Sequence, residues 1–235
     1  MIKVGCCGFP KKRELYFKEF LCVELQNTFY QPPKKLDTLI TLRKEAPSSF
    51  EFTVKAWQII THPQDSPTYR RLKEKWGDPK NYGFFKPTEE VFSAYERIRE
   101  IAKILKAKAI LFQTPPAFQE TQENLKNMYQ FFKKIKRDKL LLFWEERGNF
   151  SEESIRKICK DLNIYYACDP FKKFIKIGKI IYFRLHGKGG YRYKFGLKDL
   201  EELKQKLSKV SGYVFFNNVY MWEDALEFKK LLSKK

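Results

Sequence analysis

Only two histidines occur in this chain, and one of them closes an apolar run that reads Tyr182-Phe183-Arg184-Leu185-His186-Gly187-Lys188-Gly189-Gly190. Successive side chains of an extended strand point to opposite faces, so Ile181, Phe183 and Leu185 share one face while Tyr182, Arg184 and His186 share the other. The first face is apolar, and the second is equipped to hold something anionic. Glycines beyond His186 let backbone N–H groups approach a phosphate. Arg184, Lys188 and Arg192 are therefore the expected phosphate contacts. The interleaved Tyr191 and Tyr193 are suited to stacking on bases or sugars. An ordinary flexible loop is the competing reading.

The same alternation applies to two earlier runs. Glu24, Gln26 and Thr28 oppose Val23 and Leu25, and Thr53 and Lys55 oppose Phe52 and Val54. Glu24, Lys55, Arg184 and His186 then form a mixed-charge cluster, in which His186 and Glu24 would supply acid–base chemistry and Lys55 would offset developing negative charge. A Schiff base on Lys55 would need a depressed pKa, and an ion-paired lysine is the simpler expectation. A structural ion-pair network that fills an interior is the rival for the whole cluster.

Other runs end in groups suited to a polar ligand. Gln113 precedes Thr114-Pro115-Pro116, and Phe215-Phe216 precedes Asn217 and Asn218; side-chain amides both donate and accept. Glu146 and Asp169 close two further runs. Together with His62 and His186 they could bind a divalent metal, but no pair has a diagnostic local spacing, so metal is not favoured and no cofactor is assigned.

What must position these groups is a series of apolar runs bounded by turn residues. Strands are expected near 2–9, 22–30, 51–57, 107–114, 140–146, 164–169, 180–186 and 213–218. Helical patterns are clearest at 88–105, 122–136, 151–162, 197–207 and 222–232. A strand followed by a helix, repeated about eight times, requires parallel pairing through helical crossovers. No G-x-G-x-x-G follows the first strand, as an open dinucleotide-binding sheet would carry. The expected fold is α/β: a single TIM-type barrel domain spanning residues 1–235, with the polar groups at strand C-termini, where such barrels place their sites. One connection is long: residues 58–86 hold His62, Arg70, Arg71, Lys73, Lys75, Lys80 and Lys86, and loops of this length are usually lids, binding loops or disordered.

Lys and Arg total 47 against 28 Asp and Glu, a formal charge of +19. That balance favours phosphate-rich partners such as DNA or RNA, with a lysine-rich surface of the heat-adapted kind as the alternative. No stretch reaches the roughly 20 apolar residues that span a bilayer, and the N-terminus runs straight into a strand. A cytoplasmic protein without membrane contact is expected. Five cysteines without a CxxC pair suggest neither a disulfide framework nor a closed zinc site.

The chain resembles the DUF72 (YecE-like) family along nearly its whole length. The resemblance is carried by Glu24-Leu25-Gln26-Asn27-Thr28-Phe29-Tyr30, by Thr53-Val54-Lys55 with Ile60-Thr61-His62, and by Leu111-Phe112-Gln113-Thr114-Pro115-Pro116-Ala117-Phe118. Further matches are Glu146-Arg147, Arg184-Leu185-His186-Gly187 and Phe216-Asn217-Asn218. It implies a TIM-type barrel and no particular reaction, since the family has none settled. Two segments depart from the family's pattern, Gly5-Cys6-Cys7-Gly8 and Trp144-Glu145-Glu146-Arg147-Gly148.

Three functions fit these residues. The first is binding of a phosphate-bearing ligand, nucleic acid or nucleotide, with phosphodiester hydrolysis. The second is an isomerase or lyase acting on a small sugar or sugar phosphate. The third is non-catalytic nucleic-acid binding. A basic stripe from Arg70-Arg71 to Lys188-Arg192 would favour nucleic acid, and a closed pocket under the 58–86 connection would favour a small substrate.

Overall fold

A computed structural model describes residues 1–233. Its strands are β1 (Ile2–Cys7), β2 (Cys22–Leu25), β3 (Glu51–Lys55), β4 (Ala109–Gln113), β5 (Leu141–Glu145), β6 (Tyr165–Cys168), β7 (Ile180–Leu185) and β8 (Ser211–Phe216). Each pairs in parallel with the next, and β8 returns to β1, so the sheet closes into the expected TIM-type barrel. Around it run the helices α1 (Arg13–Glu19), α2 (Asn27–Tyr30), α3 (Asp37–Glu45), α4 (Gln58–Thr61), α5 (Glu89–Leu105), α6 (Gln122–Lys134), α7 (Glu152–Leu162), α8 (Leu197–Gln205) and α9 (Met221–Ser233). Among the described residues no helix is long and apolar enough to cross a membrane.

Local chemistry sets the long helices. The side chains of Thr88, Thr121 and Ser151 accept hydrogen bonds from backbone N–H groups of the first turns of α5, α6 and α7, satisfying donors that the helix itself leaves free. Acidic residues follow each cap, where the positive end of the helix dipole favours them.

Strand alternation divides the core in two. Val23, Phe52, Val54, Ile110, Phe112, Trp144, Phe183, Leu185 and Val214 point outward to the helices. Cys7, Cys22, Ala109, Leu111, Phe143, Ala167, Tyr182, Tyr213 and Phe215 point into the barrel. Aromatic rings close its lower part: Tyr182 lies 4.7 Å from Phe143 and 5.1 Å from Phe215, centroid to centroid.

Two regions differ from the sequence expectation. The second strand stops at Leu25 and turns into α2, so Gln26 and Thr28 leave the pleat that places Glu24. Thr28 Oγ1 instead donates to the Leu25 and Lys55 carbonyls, at 2.9 and 2.6 Å, a local side-chain bond that competes with the ladder. The 58–86 connection is structured rather than a bare loop, holding α4 and two short 3₁₀ turns, Pro67–Arg71 and Pro79–Asn81. Tyr69 stacks on Tyr82 and donates to the His62 carbonyl at 2.9 Å. Gly83, at φ +82°, passes so close to His62 that a Cβ there would lie 2.4 Å from its carbonyl carbon. The segment is thus fastened over the C-terminal end of the barrel.

Candidate active site at the barrel mouth

Above the aromatic plug the interior turns polar, and Tyr182 marks the change. Its ring belongs to the plug, while its hydroxyl lies 2.7 Å from Thr53 Oγ1 and donates to Glu24 Oε2 at 2.8 Å. Two residues further along β7, Arg184 is 1% exposed. Its Nε and Nη2 form a fork on Glu24, at 2.9 and 2.8 Å, and its Nη1 reaches Glu145 Oε2 at 2.6 Å and Gln113 Oε1 at 3.1 Å. The planar guanidinium suits this double engagement. Burial alone would raise the Glu145 pKa, but Arg184 and then Arg147 hold it well below the usual carboxylate range.

Lys55 ends β3 beside this network. Its Nζ donates to Gln113 Oε1 at 2.8 Å and lies 3.9 Å from the centre of the Phe29 ring. An amide oxygen rather than a carboxylate thus accepts its hydrogen bond. Burial, and then the charge of Arg184, bring the Lys55 pKa down to about 7, so the amine exchanges its proton near neutrality.

A cavity of 710 Å³ covers this end, lined by His62, Gln113, Arg147 and the 63–68 and 115–117 segments. His62 is oriented by Thr61 Oγ1, 2.8 Å from its Nδ1, and by the edge-on ring of Phe29. Burial, followed by Lys55 and Arg147, lowers its pKa to about 3, so it enters the site as a neutral ring. Another surface cavity, of 540 Å³, lies near Tyr30 and Arg71, away from the titratable cluster.

On the other side of the mouth, Arg147 donates through Nε and Nη2 to Glu145 Oε1, at 3.0 and 2.7 Å, and through Nη2 to His186 Nε2 at 3.1 Å. Asp169 Oδ2 accepts from the His186 backbone N–H at 3.1 Å and faces its Nδ1 at 3.5 Å. His186 is held below its ordinary pKa by burial, with the Asp169 contact opposing and Arg184 reinforcing the shift.

The sequence-selected residues Glu24, Lys55, Gln113, Arg184 and His186 therefore meet at one place, with His62 across the cavity and Asp169 behind His186. Others serve different ends. Glu146 lies on the opposite pleat from Glu145, against Lys173 at 2.9 Å, in a side cavity. Asn217 continues β8 and donates its backbone N–H to the Leu185 carbonyl at 2.8 Å. Asn218 binds the Tyr193 carbonyl and Asp224 through its amide, at 2.8 and 2.6 Å, which fixes the 187–196 loop. Lys188 is ion-paired with Asp199 and Glu202, at 2.7 and 3.0 Å, and Arg192 is exposed. The glycine loop folds on itself: the Gly190 N–H donates to the Gly187 carbonyl at 3.2 Å, and Gly187 takes φ +90°.

Glu145, Arg147 and Tyr182 belong to the site without having been selected from sequence. A signal existed for Glu145, because Trp144 belongs to the apolar pleat that faces the helices and strand alternation then turns Glu145 inward. Tyr182 already shared the face of Arg184. Arg147 lies past the strand end, where no periodicity reaches. Among the described residues no group of three or more His, Cys, Asp or Glu side chains converges as a metal-ligand set. What the mouth offers is a near-neutral amine, two neutral imidazoles and a half-exposed guanidinium.

A search of curated protein sequences returned no significant match. Among solved structures the barrel is similar to a DUF72 family protein from Enterococcus faecalis V583, with TM-score 0.75 and 19% identity over 100% of this chain and 96% of that one. A DUF72 family protein from Thermotoga maritima MSB8 gives TM-score 0.71 and 20% identity, covering 100% of both chains. A xylose isomerase domain containing protein from Salmonella typhimurium LT2 gives TM-score 0.61 and 15% identity over 97% of this chain and 95% of that one. The family model described as protein of unknown function DUF72 matches residues 8–235, and on that match the chain belongs to the DUF72 family.

Proposed function

We propose that the barrel mouth binds a small sugar or sugar phosphate and moves a proton next to its carbonyl, as an isomerase or lyase does. The observation that carries this reading is the placement of Lys55, buried and bonded to Gln113, which with His62 and Arg147 lines a 710 Å³ cavity. The neutral amine takes a proton from the carbon beside the carbonyl. The electron pair of that C–H bond passes to the carbonyl oxygen as an enolate, and the Arg147 guanidinium faces the developing charge. The hydroxyl proton on the deprotonated carbon then passes to that oxygen, and return of the first proton to the former carbonyl carbon completes an isomerisation with the carbonyl moved by one carbon, whereas expulsion of a leaving group from the next carbon, the enolate electrons re-forming the carbonyl, completes an elimination. Arg184 does not contact the ligand in this scheme. It neutralises Glu24 and Glu145, so the amine can lose its proton without two bare carboxylates beside it.

The fold's wider neighbours do not choose between chemistries, since they include D-psicose 3-epimerase (TM-score 0.56, 12% identity) and endonuclease IV from Thermus thermophilus (TM-score 0.55, 8% identity). The charge of +19 supports the second reading, a phosphate-bearing polymer bound at the surface and hydrolysed at the mouth. Two of the groups expected to hold its phosphates, Arg184 and Lys188, are engaged by carboxylates, which favours the small substrate.

The test is proton exchange. Aldoses, ketoses and their phosphates incubated in D2O with the protein and followed by proton NMR should include at least one whose C–H signal beside the carbonyl is lost, and Lys55→Met should abolish that loss. If no sugar exchanges, and single-stranded nucleic acid is instead retained near physiological salt, the second reading replaces the first.

A further inference from the structure

A second cavity, of 330 Å³, adjoins the mouth between the ends of β5 and β6, and Arg147 and Pro116 line both cavities. Two of the residues that line it, Glu146 and Tyr166, each carry a buried polar atom without a hydrogen-bond partner, Oε1 and the phenol hydroxyl. Both residues are deeply buried, Glu146 at 8% and Tyr166 at 5% exposure. Buried polar atoms of this kind are rare because each costs the desolvation of the group, and those that persist call for an occupant. An unmade bond from a carboxylate oxygen asks for a donor, and a phenol beside it can donate or accept.

We propose that this side cavity is a subsite for the hydroxylated end of the ligand, with Glu146 accepting a hydroxyl hydrogen and Tyr166 bonding the same or the next hydroxyl. This rests on the reading of the mouth as a sugar site and names what selects its substrate. Charge decides between a hydroxyl and an ammonium as the donor. Glu146 Oε2 already receives Lys173, and Lys172 and Arg147 also line the cavity. A further cation would meet these like charges, whereas a neutral hydroxyl would not. A site built to bond a hydroxyl also rejects analogues lacking it, because its buried groups are then left unpaired. Arg147 stands on the boundary, so the carbon that reacts would lie over Lys55 while the chain of hydroxyls runs past the guanidinium.

Linear polyols of four to six carbons, which carry no carbonyl, test the subsite apart from the reaction. Their binding is measured by calorimetry on the native protein and on Tyr166→Phe, Glu146→Gln and Lys55→Met. The expected result is binding by the native chain and by Lys55→Met, with Tyr166→Phe weaker by roughly threefold to tenfold, the weight of one neutral hydrogen bond, and Glu146→Gln weaker by more. Because the Tyr166 hydroxyl has no partner, Tyr166→Phe should melt no lower than the native protein, which separates lost recognition from lost folding. Polyol binding that is absent, or equal in native and Tyr166→Phe proteins, overturns the subsite. The D2O exchange result stands or falls independently of either outcome.

Discussion

Arg147 Nη2 approaches His186 Nε2 to 3.1 Å, and since a guanidinium can only donate, the contact fixes the imidazole as the neutral ring with its proton on Nδ1. That proton faces Asp169. Carboxylate, ring and guanidinium thus form a line from the end of β6 to the mouth. Removing Arg147 takes away one of the charges that hold the His186 pKa down. In Arg147→Leu the His186 pKa should move up toward 6.5, read from the ring nitrogen and carbon-bound proton shifts in NMR titration. An Nε2–H tautomer in the native protein, or an unmoved pKa in the variant, would show that the contact does not form.

Arg184 presents the opposite case, a cation that cannot be removed cleanly. It is shared by Glu24 and Glu145 in an interior without solvent access, and loss of one member leaves buried carboxylates uncompensated. Arg184→Met should destabilise the fold by about 3–5 kcal/mol in denaturant unfolding. Lysine should not rescue it, because one ammonium cannot replace a fork on one carboxylate and a third bond to another. Retention of native stability in Arg184→Met would mean that the two glutamates find other partners.

The barrel and much of its mouth are legible in the sequence because one rule, alternation along a strand, is enough to bring Glu24, Lys55 and Arg184 to a common interior. Where the chain leaves the pleat the rule ends. Alternation carries Thr28 onto a strand that in fact stops at Leu25, because a short helical turn with a side-chain bond to the backbone has no hydrophobic period. Lys188 reads as a phosphate ligand because Asp199 and Glu202, its partners, are distant enough in sequence that only the fold of the loop onto α8 brings them near. Asn218 reads as ligand-facing for the same reason, its partner Asp224 being inside α9.

Lys55 should reveal itself through stability as well as activity. Its folded pKa of about 7 lies below the ordinary 10.5, so between those values the unfolded chain holds the extra proton and the native state gains stability as pH rises. Below pH 7 both states are protonated and the native state carries a poorly compensated buried cation. Lys55→Met should therefore be more stable than the native protein by about 1–3 kcal/mol near pH 6, with the advantage shrinking steadily toward about pH 10. Catalysed exchange, where amine acts as base, should rise through about pH 7 in the native protein and vanish in the variant. A constant stability difference across that range would place the titration elsewhere.

His62 sets the acid limb. Its pKa falls from 6.5 to about 3 on folding, so as pH drops through that window the unfolded state takes up a proton that the native state refuses, and stability is lost. Over the two units above the carboxylate range this amounts to roughly 2–3 kcal/mol for His62 alone. His186, shifted in the same direction, adds to it, and Glu145 adds further loss only in stronger acid, since its folded pKa lies below the usual range. His62→Gln keeps a polar side chain against Phe29 and removes the titration. Unfolding midpoints between about pH 6.5 and 4.5 should fall steeply for the native protein and more shallowly for the variant. Parallel slopes would mean that His62 is hydrated in solution, and would return the mouth cavity to an open, water-filled cleft.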